Sequence, residues 1–353
     1  MTSINDLDTP AVTIDLDIVE ANIKRAQERL DGFGIANRPH IKTHKLPQMA
    51  KLQMDAGAVG ITCQKLGEAE VFADAGVADD ILLTFNILGV SKTDRLCALV
   101  KRLKRMAVVL DNETVARGLS EAGVRNGVDI RFLIECDIGF GRNGVQSPEA
   151  AFELARTALK LPRMQFEGLM TFPIKVPETR QFMERALQLF GGAGIPVPIV
   201  SGGGTPAVAH AGEIPMLTEH RAGTYVYNDA MMVTAGAATW DDCAMRVRAT
   251  VVSRPTETRA ILDTGSKVLT YDQYFAKGYG RIVEYPEAAV TTMSEEHGTV
   301  DLSACKQRPK VGEVVSVIPN HCCAVTNMMD EVYGVRGGRV EVVWPVAARG
   351  KVR

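Results

Sequence analysis

Arg38-Pro39-His40-Ile41-Lys42-Thr43-His44-Lys45 is the stretch on which the fold turns, because it sets two lysines and two histidines where an apolar run gives way to an amphipathic one. In a barrel of alternating strands and helices that junction is the C-terminal end of a strand, the face that carries the chemistry of such barrels. If residues 37–42 form a strand, Arg38, His40 and Lys42 share one face, since successive side chains alternate. A neighbouring cation or partial desolvation disfavours an ammonium ion, which suits Lys42 to act as an amine nucleophile. A basic surface loop is the competing reading, and the rest of the chain decides between them.

Outward from this stretch, short apolar runs alternate with amphipathic segments as far as Tyr227, which predicts repeated strand–helix units around a parallel sheet. The expected strands are Pro39–Lys42, Val59–Cys63, Ile81–Thr84, Ala107–Leu110, Ile130–Glu135, Phe166–Thr171, Val197–Ser201 and Thr224–Tyr227. Helices are expected over Lys45–Asp55, Leu66–Ala75, Ser91–Arg105, Asn112–Asn126, Pro148–Lys160 and Glu178–Phe190. About eight units close a (β/α)8 barrel of the TIM type. An open doubly wound sheet would carry a Gly-x-Gly-x-x-Gly turn after its first strand, where this chain has Lys-Thr-His-Lys. After Asn228 the texture becomes β-branched, as in Met245–Val252, Arg259–Asp263, Val311–Ile318 and Val340–Trp344. The expected division is a barrel over residues 12–233 and a mostly β domain over residues 234–353, joined by residues 1–11. The opening run Thr9–Ile14 reads as a strand available to pair with that domain.

The 353 residues carry a net charge of −2, which leaves no basic field for nucleic acid or an anionic membrane and points to a small-molecule partner. Seven cysteines, an odd number, and a start without a charged-then-apolar leader lead us to expect a reduced, cytoplasmic protein. No apolar run reaches the length of a membrane span.

In such a barrel the strand ends converge, so residues far apart in sequence become neighbours. The first strand offers His40 and Lys42, the second leads into Gln64, the fifth into Asp137-Ile138-Gly139-Phe140-Gly141-Arg142-Asn143-Gly144, and the sixth into Thr171-Phe172. The seventh runs into Ser201-Gly202-Gly203-Gly204-Thr205-Pro206, where bare backbone amides and a hydroxyl suit an anion such as phosphate. A tight turn is the plainer reading of the glycines. Paired with an upstream amine, the phosphate reading is preferred, and lysine with phosphate cup suggests pyridoxal 5′-phosphate. Arg142 either pairs with Asp137 or presents its planar fork to the cofactor or a substrate carboxylate. Among Glu219, His220 and Arg221, an arginine facing the pyridine nitrogen would leave it unprotonated and weaken the ring as an electron sink. Tyr225 and Tyr227 read equally as packing residues.

A third signal is Pro319-Asn320-His321-Cys322-Cys323, where on a strand His321 and Cys323 would face one side and bind a cation together. Imidazole with thiolate favours zinc, and a site completed by water or substrate oxygen also admits manganese or magnesium. A buried cysteine pair beside a packed histidine is the alternative. Ser294–Gly298 and Asp263–Lys267 are further polar clusters in β surroundings that would line the site or a subunit contact.

These residues resemble the D-threonine aldolase/D-serine dehydratase family, pyridoxal-phosphate enzymes with an alanine racemase-like barrel. The resemblance runs nearly end to end, through RPHIKTHK, DIGFGRNGV, SGGGTP, GTYVYND, DTGSK, SEEHG and PNHCC in the family's order. It implies that Lys42 rather than Lys45 carries the cofactor, that the Gly202-Gly203-Gly204-Thr205 turn holds its phosphate, that Arg142 lies beside it, and that His321 and Cys323 bind a divalent metal. The candidate cofactor-binding set is Lys42, His40, Gln64, Arg142, Thr171, Phe172, Ser201, Gly202, Gly203, Gly204, Thr205, Arg221 and Tyr227. One departure is Phe172, where racemases and vertebrate-type dehydratases have a histidine. The resemblance implies retro-aldol cleavage of a β-hydroxy-D-amino acid, with dehydration of D-serine or D-3-hydroxyaspartate as the alternative. It also implies a homodimer in which the β domain of one subunit closes the barrel mouth of the other. Small barrels that merely store the cofactor fit poorly, since they lack the long β domain and the metal motif.

Overall fold

Residues 2–353 are described in the computed structural model. A first strand, β1 (Ala11–Asp15), leads into a long helix, α1 (Leu16–Gly32). The strands that follow are mostly buried and alternate with helices, the arrangement that parallel pairing demands. They form β2 (Ala36–Asn37), β3 (Ile61–Cys63), β4 (Asp80–Leu83), β5 (Arg105–Leu110), β6 (Ile130–Cys136), β7 (Met164–Thr171), β8 (Ile199–Gly202) and β9 (Glu219–His220). The sheet runs in the order β2-β9-β8-β7-β6-β5-β4-β3. Its two borders meet where His40 and Thr62 form a parallel bridge and the Thr62 amide donates to the Pro39 carbonyl at 2.8 Å, so the strands close into a barrel.

Around it lie α2 (Pro47–Asp55), α3 (Leu66–Ala75), α4 (Val90–Arg102), α5 (Glu113–Asn126), α6 (Pro148–Leu159) and α7 (Val176–Gly192). Local chemistry sets their ends. Asn112 and Ser147 cap α5 and α6 by accepting the Val115 and Ala150 amides, and Gly127 ends α5 at φ +67°, a left-handed conformation that favours glycine.

Leu82, Ala107, Val109, Leu133 and Met170 form an apolar cluster on β4 to β7. At the N-terminal ends of the strands the sheet carries a ladder of ion pairs. Glu167 accepts from Arg131 and Arg105, Asp80 from Arg105 and Arg38, and Glu219 from Arg38. Ser201 then donates to Glu219 at 2.7 Å and accepts from Arg221 at 2.8 Å, which carries the ladder toward the opposite end of the barrel.

Two expected strands are corrected. The first is Ala36–Asn37, after which Ile41–Thr43 makes a 3-10 turn, so Lys42 is not on a strand. The last is Glu219–His220, while Thr224–Val226 is a 3-10 turn despite its β-branched and aromatic residues. A buried glutamate is tolerated in β9 because Arg38 and Ser201 both bond it.

The chain divides into two compact units. One is the barrel, Arg25–Lys42 with Pro47–Gly223 and Gly350–Arg353; the other comprises the N-terminal stretch to Lys24, Thr43–Leu46 and Thr224–Arg349. The N-terminal stretch falls in that second unit because β1 pairs with its strands on both sides. That unit is built from α8 (Ala230–Thr234), β10 (Met245–Thr256), β11 (Arg259–Leu262), α9 (Ser266–Leu269), β12 (Arg281–Ile282), β13 (Ala289–Met293), β14 (Gly298–Asp301), β15 (Val314–Ile318), α10 (Cys322–Met328), β16 (Glu331–Arg336) and β17 (Arg339–Pro345). Its sheet has the order β11-β14-β13-β12-β15-β10-β1-β16-β17, and a further β10–β11 pairing closes six strands into a ring. Among the described residues no helix is long and apolar enough to cross a membrane.

Candidate active site

In the barrel unit, two hydrogen bonds on the His40 ring fix its protonation pattern. Its Nδ1 accepts the Lys42 amide at 3.3 Å, so Nε2 carries the proton and donates to Gln64 Oε1 at 3.1 Å. Gln64 in turn donates to the Thr84 carbonyl at 2.7 Å. A neutral imidazole thus holds the turn that presents Lys42, which is half-buried. Lys45 lies in the other unit, buried, and donates to the Ala348 carbonyl at 3.4 Å.

Phe172 is where three sequence motifs meet. Lys42 Nζ lies 5.9 Å from its ring centroid, the Arg142 guanidinium 5.1 Å, and the Phe140 ring packs edge-on at 5.8 Å. A side chain on Gly204 would approach the Phe172 ring to 3.0 Å. Gly203 has φ +101°, and a Cβ there would fall 2.1 Å from the His220 ring. Gly203 therefore demands bare backbone, and a side chain on Gly204 would press on the Phe172 ring. His220 Nε2 donates to the Gly204 carbonyl at 3.1 Å, and burial pushes its pKa down to about 4, so it supports the turn as a neutral ring. Thr205, also buried, opens a 3-10 helix at the end of this turn.

Arg221 is buried and donates to the Ser201 hydroxyl and, at 2.9 Å, to the Thr171 carbonyl; burial lowers its pKa to about 10, which still leaves it charged at neutrality. The hydroxyls of Ser201 and Thr171 are committed within the protein, Thr171 donating to the Cys136 carbonyl at 2.9 Å. Arg142 does not pair with Asp137, whose carboxylate instead accepts the amides of Gly139, Phe140 and Gly141. Its partner is Glu135, at 3.5 Å, which also accepts from Asn143 at 2.6 Å. Burial raises the Glu135 pKa to about 7 against the pull of Arg142 and Arg221.

In the second unit, His321 and Cys323 are brought together, but not on a strand. His321 caps α10 in extended conformation and Cys323 lies in its first turn. The chain leaves β15 at Ile318 and turns through Pro319-Asn320, ending the alternation that the strand reading assumed. His321 Nδ1 bonds Asp272 Oδ2 at 2.8 Å, and Tyr274 packs edge-on against the ring at 5.5 Å. The His321 pKa rises to about 9 because, although burial opposes it, the Cys323 thiol, the Asp272 carboxylate and the negative Asp229 favour the cation. Cys323 Sγ lies 3.2 Å from the Thr43 hydroxyl and 3.9 Å from that of Thr224. Tyr227 is fully buried, with its hydroxyl bonded to no group among the described residues, and burial raises its pKa. Asp229 accepts the Cys322 amide at 3.0 Å, and burial lifts its pKa to about 6.

The residues present fit both expected groups. Lys42, the bare glycine turn and the Phe172 wall suit pyridoxal phosphate. The His321–Cys323 pair, with Nδ1 engaged and Nε2 left to coordinate, suits a divalent cation, and the orphaned Tyr227 hydroxyl is a further polar atom in that unit. Among the described residues no three of His, Cys, Asp or Glu gather as a complete cation site. Asp272, Asp229 and Glu135 escaped the sequence reading because their partners lie far along the chain or, for Glu135, inside a strand of otherwise apolar pattern. In the Asp263 and Ser294–Gly298 clusters, Asp263 accepts from Thr9 and the Thr250 amide, and Lys267 pairs with Glu296.

The chain is similar to known proteins along its whole length. The family of the alanine racemase N-terminal domain matches residues 14–230, and that of the putative serine dehydratase domain residues 244–335. D-threonine aldolase of Arthrobacter sp is 34% identical over 362 residues, covering 98% of this chain and 93% of that protein. D-threo-3-hydroxyaspartate dehydratase of Delftia sp. (strain HT23) is 32% identical, covering 90% of this chain and 91% of its own. The crystal structure of D-threonine aldolase from Filomicrobium marinum matches with a TM-score of 0.93 at 31% identity, over 100% of this chain and 98% of that one. An alanine racemase-like barrel, a strand-rich second unit and these full-length likenesses together place the chain in the D-threonine aldolase/D-serine dehydratase family of lyases.

Proposed function

We propose that the protein cleaves β-hydroxy-D-amino acids by a retro-aldol reaction, D-threonine giving glycine and acetaldehyde, with pyridoxal 5′-phosphate on Lys42 and a divalent metal (manganese, magnesium or zinc) on His321 and Cys323. The observation that carries this reading is the approach of the His321 imidazole to the Cys323 thiol, a cation-binding pair that a two-base racemase has no use for.

When bound, the cofactor supplies an electron sink for bond breaking at Cα, and the metal acidifies a hydroxyl placed on it. The chain's own residues do the rest. Lys42 Nζ would hold the cofactor and yield to the substrate amine. The Gly202–Thr205 turn would bind the phosphate through backbone amides and the Thr205 hydroxyl. His40, held by Gln64, would orient the Lys42 turn, and Phe172 would pack against the cofactor ring. Arg221, charged and fixed by Ser201 and Thr171, would face the pyridine nitrogen as a donor that keeps it unprotonated. Arg142, beside Phe172, would take a carboxylate or the cofactor's phenolate. Tyr227 would offer its hydroxyl to the cofactor. His321 and Cys323 would hold the cation and leave its remaining positions to the substrate's β-oxygen.

The test is an assay of glycine and acetaldehyde from D- and L-threonine. Release from the D-isomer only, lost on chelation and restored by metal, is expected; no release with cofactor and metal both supplied would remove the proposal. The dehydratase among the relatives supports a second reading in which Lys42 takes the α-proton and the β-hydroxyl departs. Ammonia measured beside aldehyde, across D-threonine, D-phenylserine, D-serine and D-3-hydroxyaspartate, separates the two. A cytoplasmic homodimer belongs to the same reading, and sedimentation of the loaded enzyme tests the assembly.

A further inference from the structure

We infer that Asp272 is a positioning residue for the metal: its carboxylate fixes the His321 ring so that Nε2 alone is presented, and it does not itself touch the ion. The inference rests on the metal reading above. A carboxylate only accepts, so the 2.8 Å contact keeps the proton on His321 Nδ1 and makes Nε2 the nitrogen whose proton a metal ion would displace. The ring is also fixed in rotation, since Tyr274, two residues beyond Asp272, packs edge-on against it. Both contacts come from one segment, Thr270–Gly280, and that segment is clipped to the residue before the histidine: Asn320 Nδ2 donates to the Gly278 carbonyl at 2.8 Å. Consecutive residues Asn320 and His321 thus hold its two ends, an arrangement that supports the imidazole rather than supplying a third ligand. Among the described residues Asp272 completes no cluster with His321 and Cys323 that could enclose a cation, which agrees with a place on the far side of the ring. Partners of this kind raise the basicity of the ligand and stop the ring flipping, and their loss commonly costs about 10–100-fold in metal affinity.

The full-length, cofactor-loaded protein is stripped of metal and titrated with Co²⁺, whose thiolate charge-transfer absorbance reports coordination by Cys323. Asp272→Asn and Asp272→Ala are expected to bind about 10–100-fold more weakly, with the band unmoved and the melting temperature of the metal-free protein unchanged. A loss smaller than about tenfold in both variants, a vanished band, or a loss that follows a lower metal-free melting temperature would overturn the inference. His321→Ala separates it from the reading beneath it. If that variant loses Co²⁺ while the Asp272 variants keep it, only the positioning role falls; if it binds like the parent, the metal assignment falls first.

Discussion

Two lysines three positions apart have opposite surroundings, and this decides which one is chemically available. Lys42 is half-buried beside Phe172, whereas Lys45 is buried, with its amine on the Ala348 carbonyl and its own carbonyl accepting the Ala348 amide at 3.1 Å. Borohydride reduction of the loaded enzyme followed by peptide mapping is expected to mark Lys42; Lys45→Met should keep that mark and melt earlier. Glu135 offers a second test at this scale. Burial holds its pKa near 7 in the folded chain, above the ordinary 4.5. The folded state therefore keeps a proton that the unfolded state has lost, so the group's contribution is fully present below about pH 4.5 and is lost as pH rises through about 7. Glu135→Gln is expected to remove that decline, worth up to about 1.4 kcal/mol per pH unit within the window. Urea denaturation of parent and variant across the window measures it, and an unchanged slope would place the carboxylate's pKa elsewhere.

Among elements, the ladder inside the barrel carries the sharpest expectation. Arg38 serves both Asp80 and Glu219 while almost wholly buried, so Arg38→Met leaves the buried Glu219 with the Ser201 hydroxyl in place of a counter-ion and Asp80 with Arg105 alone; the cost expected is about 3–5 kcal/mol. Arg102→Met, which breaks an exposed pair with Asp74, should cost about 0–1 kcal/mol by the same denaturation measurement. This ladder also shows what was legible in the sequence. The helices Leu66–Ala75, Glu113–Asn126 and Pro148–Leu159 stand within a residue of expectation, because an amphipathic stripe and a cap are local signals. Strand β9 was missed because its glutamate is buried only by virtue of an arginine 181 positions earlier, a fact no local pattern carries. The same limit hid Asp272, which meets His321 across 49 positions, and put His321 and Cys323 on a strand when a turn and a short helix bring them together. Residue types and order sufficed to single out Lys42, the glycine turn and the histidine–cysteine pair as candidates.

At the scale of the whole molecule, the two groups proposed for catalysis are assigned to different compact units: the amine and phosphate turn to the barrel, the metal pair to the strand-rich unit. Chelation is therefore expected to abolish turnover while leaving the cofactor's visible absorbance and its reductive trapping at Lys42 intact. Loss of the absorbance together with the metal would show that the units do not hold their ligands independently. The strand-rich unit has a further property of its own. Because β10 bonds β11 as well as β1 and β15, one flank of its sheet is sealed, and among the described residues only β17 lacks a neighbouring strand on its outer side. There the Val340 amide is already taken by the Thr2 carbonyl, Arg339 and Glu341 place charges along the strand, and Pro345 ends it. The N-terminal stretch at one end, the charges beside it and the proline at the other end blunt the edge on which one molecule could template another, so crowding and prolonged storage should not seed fibrils from this unit.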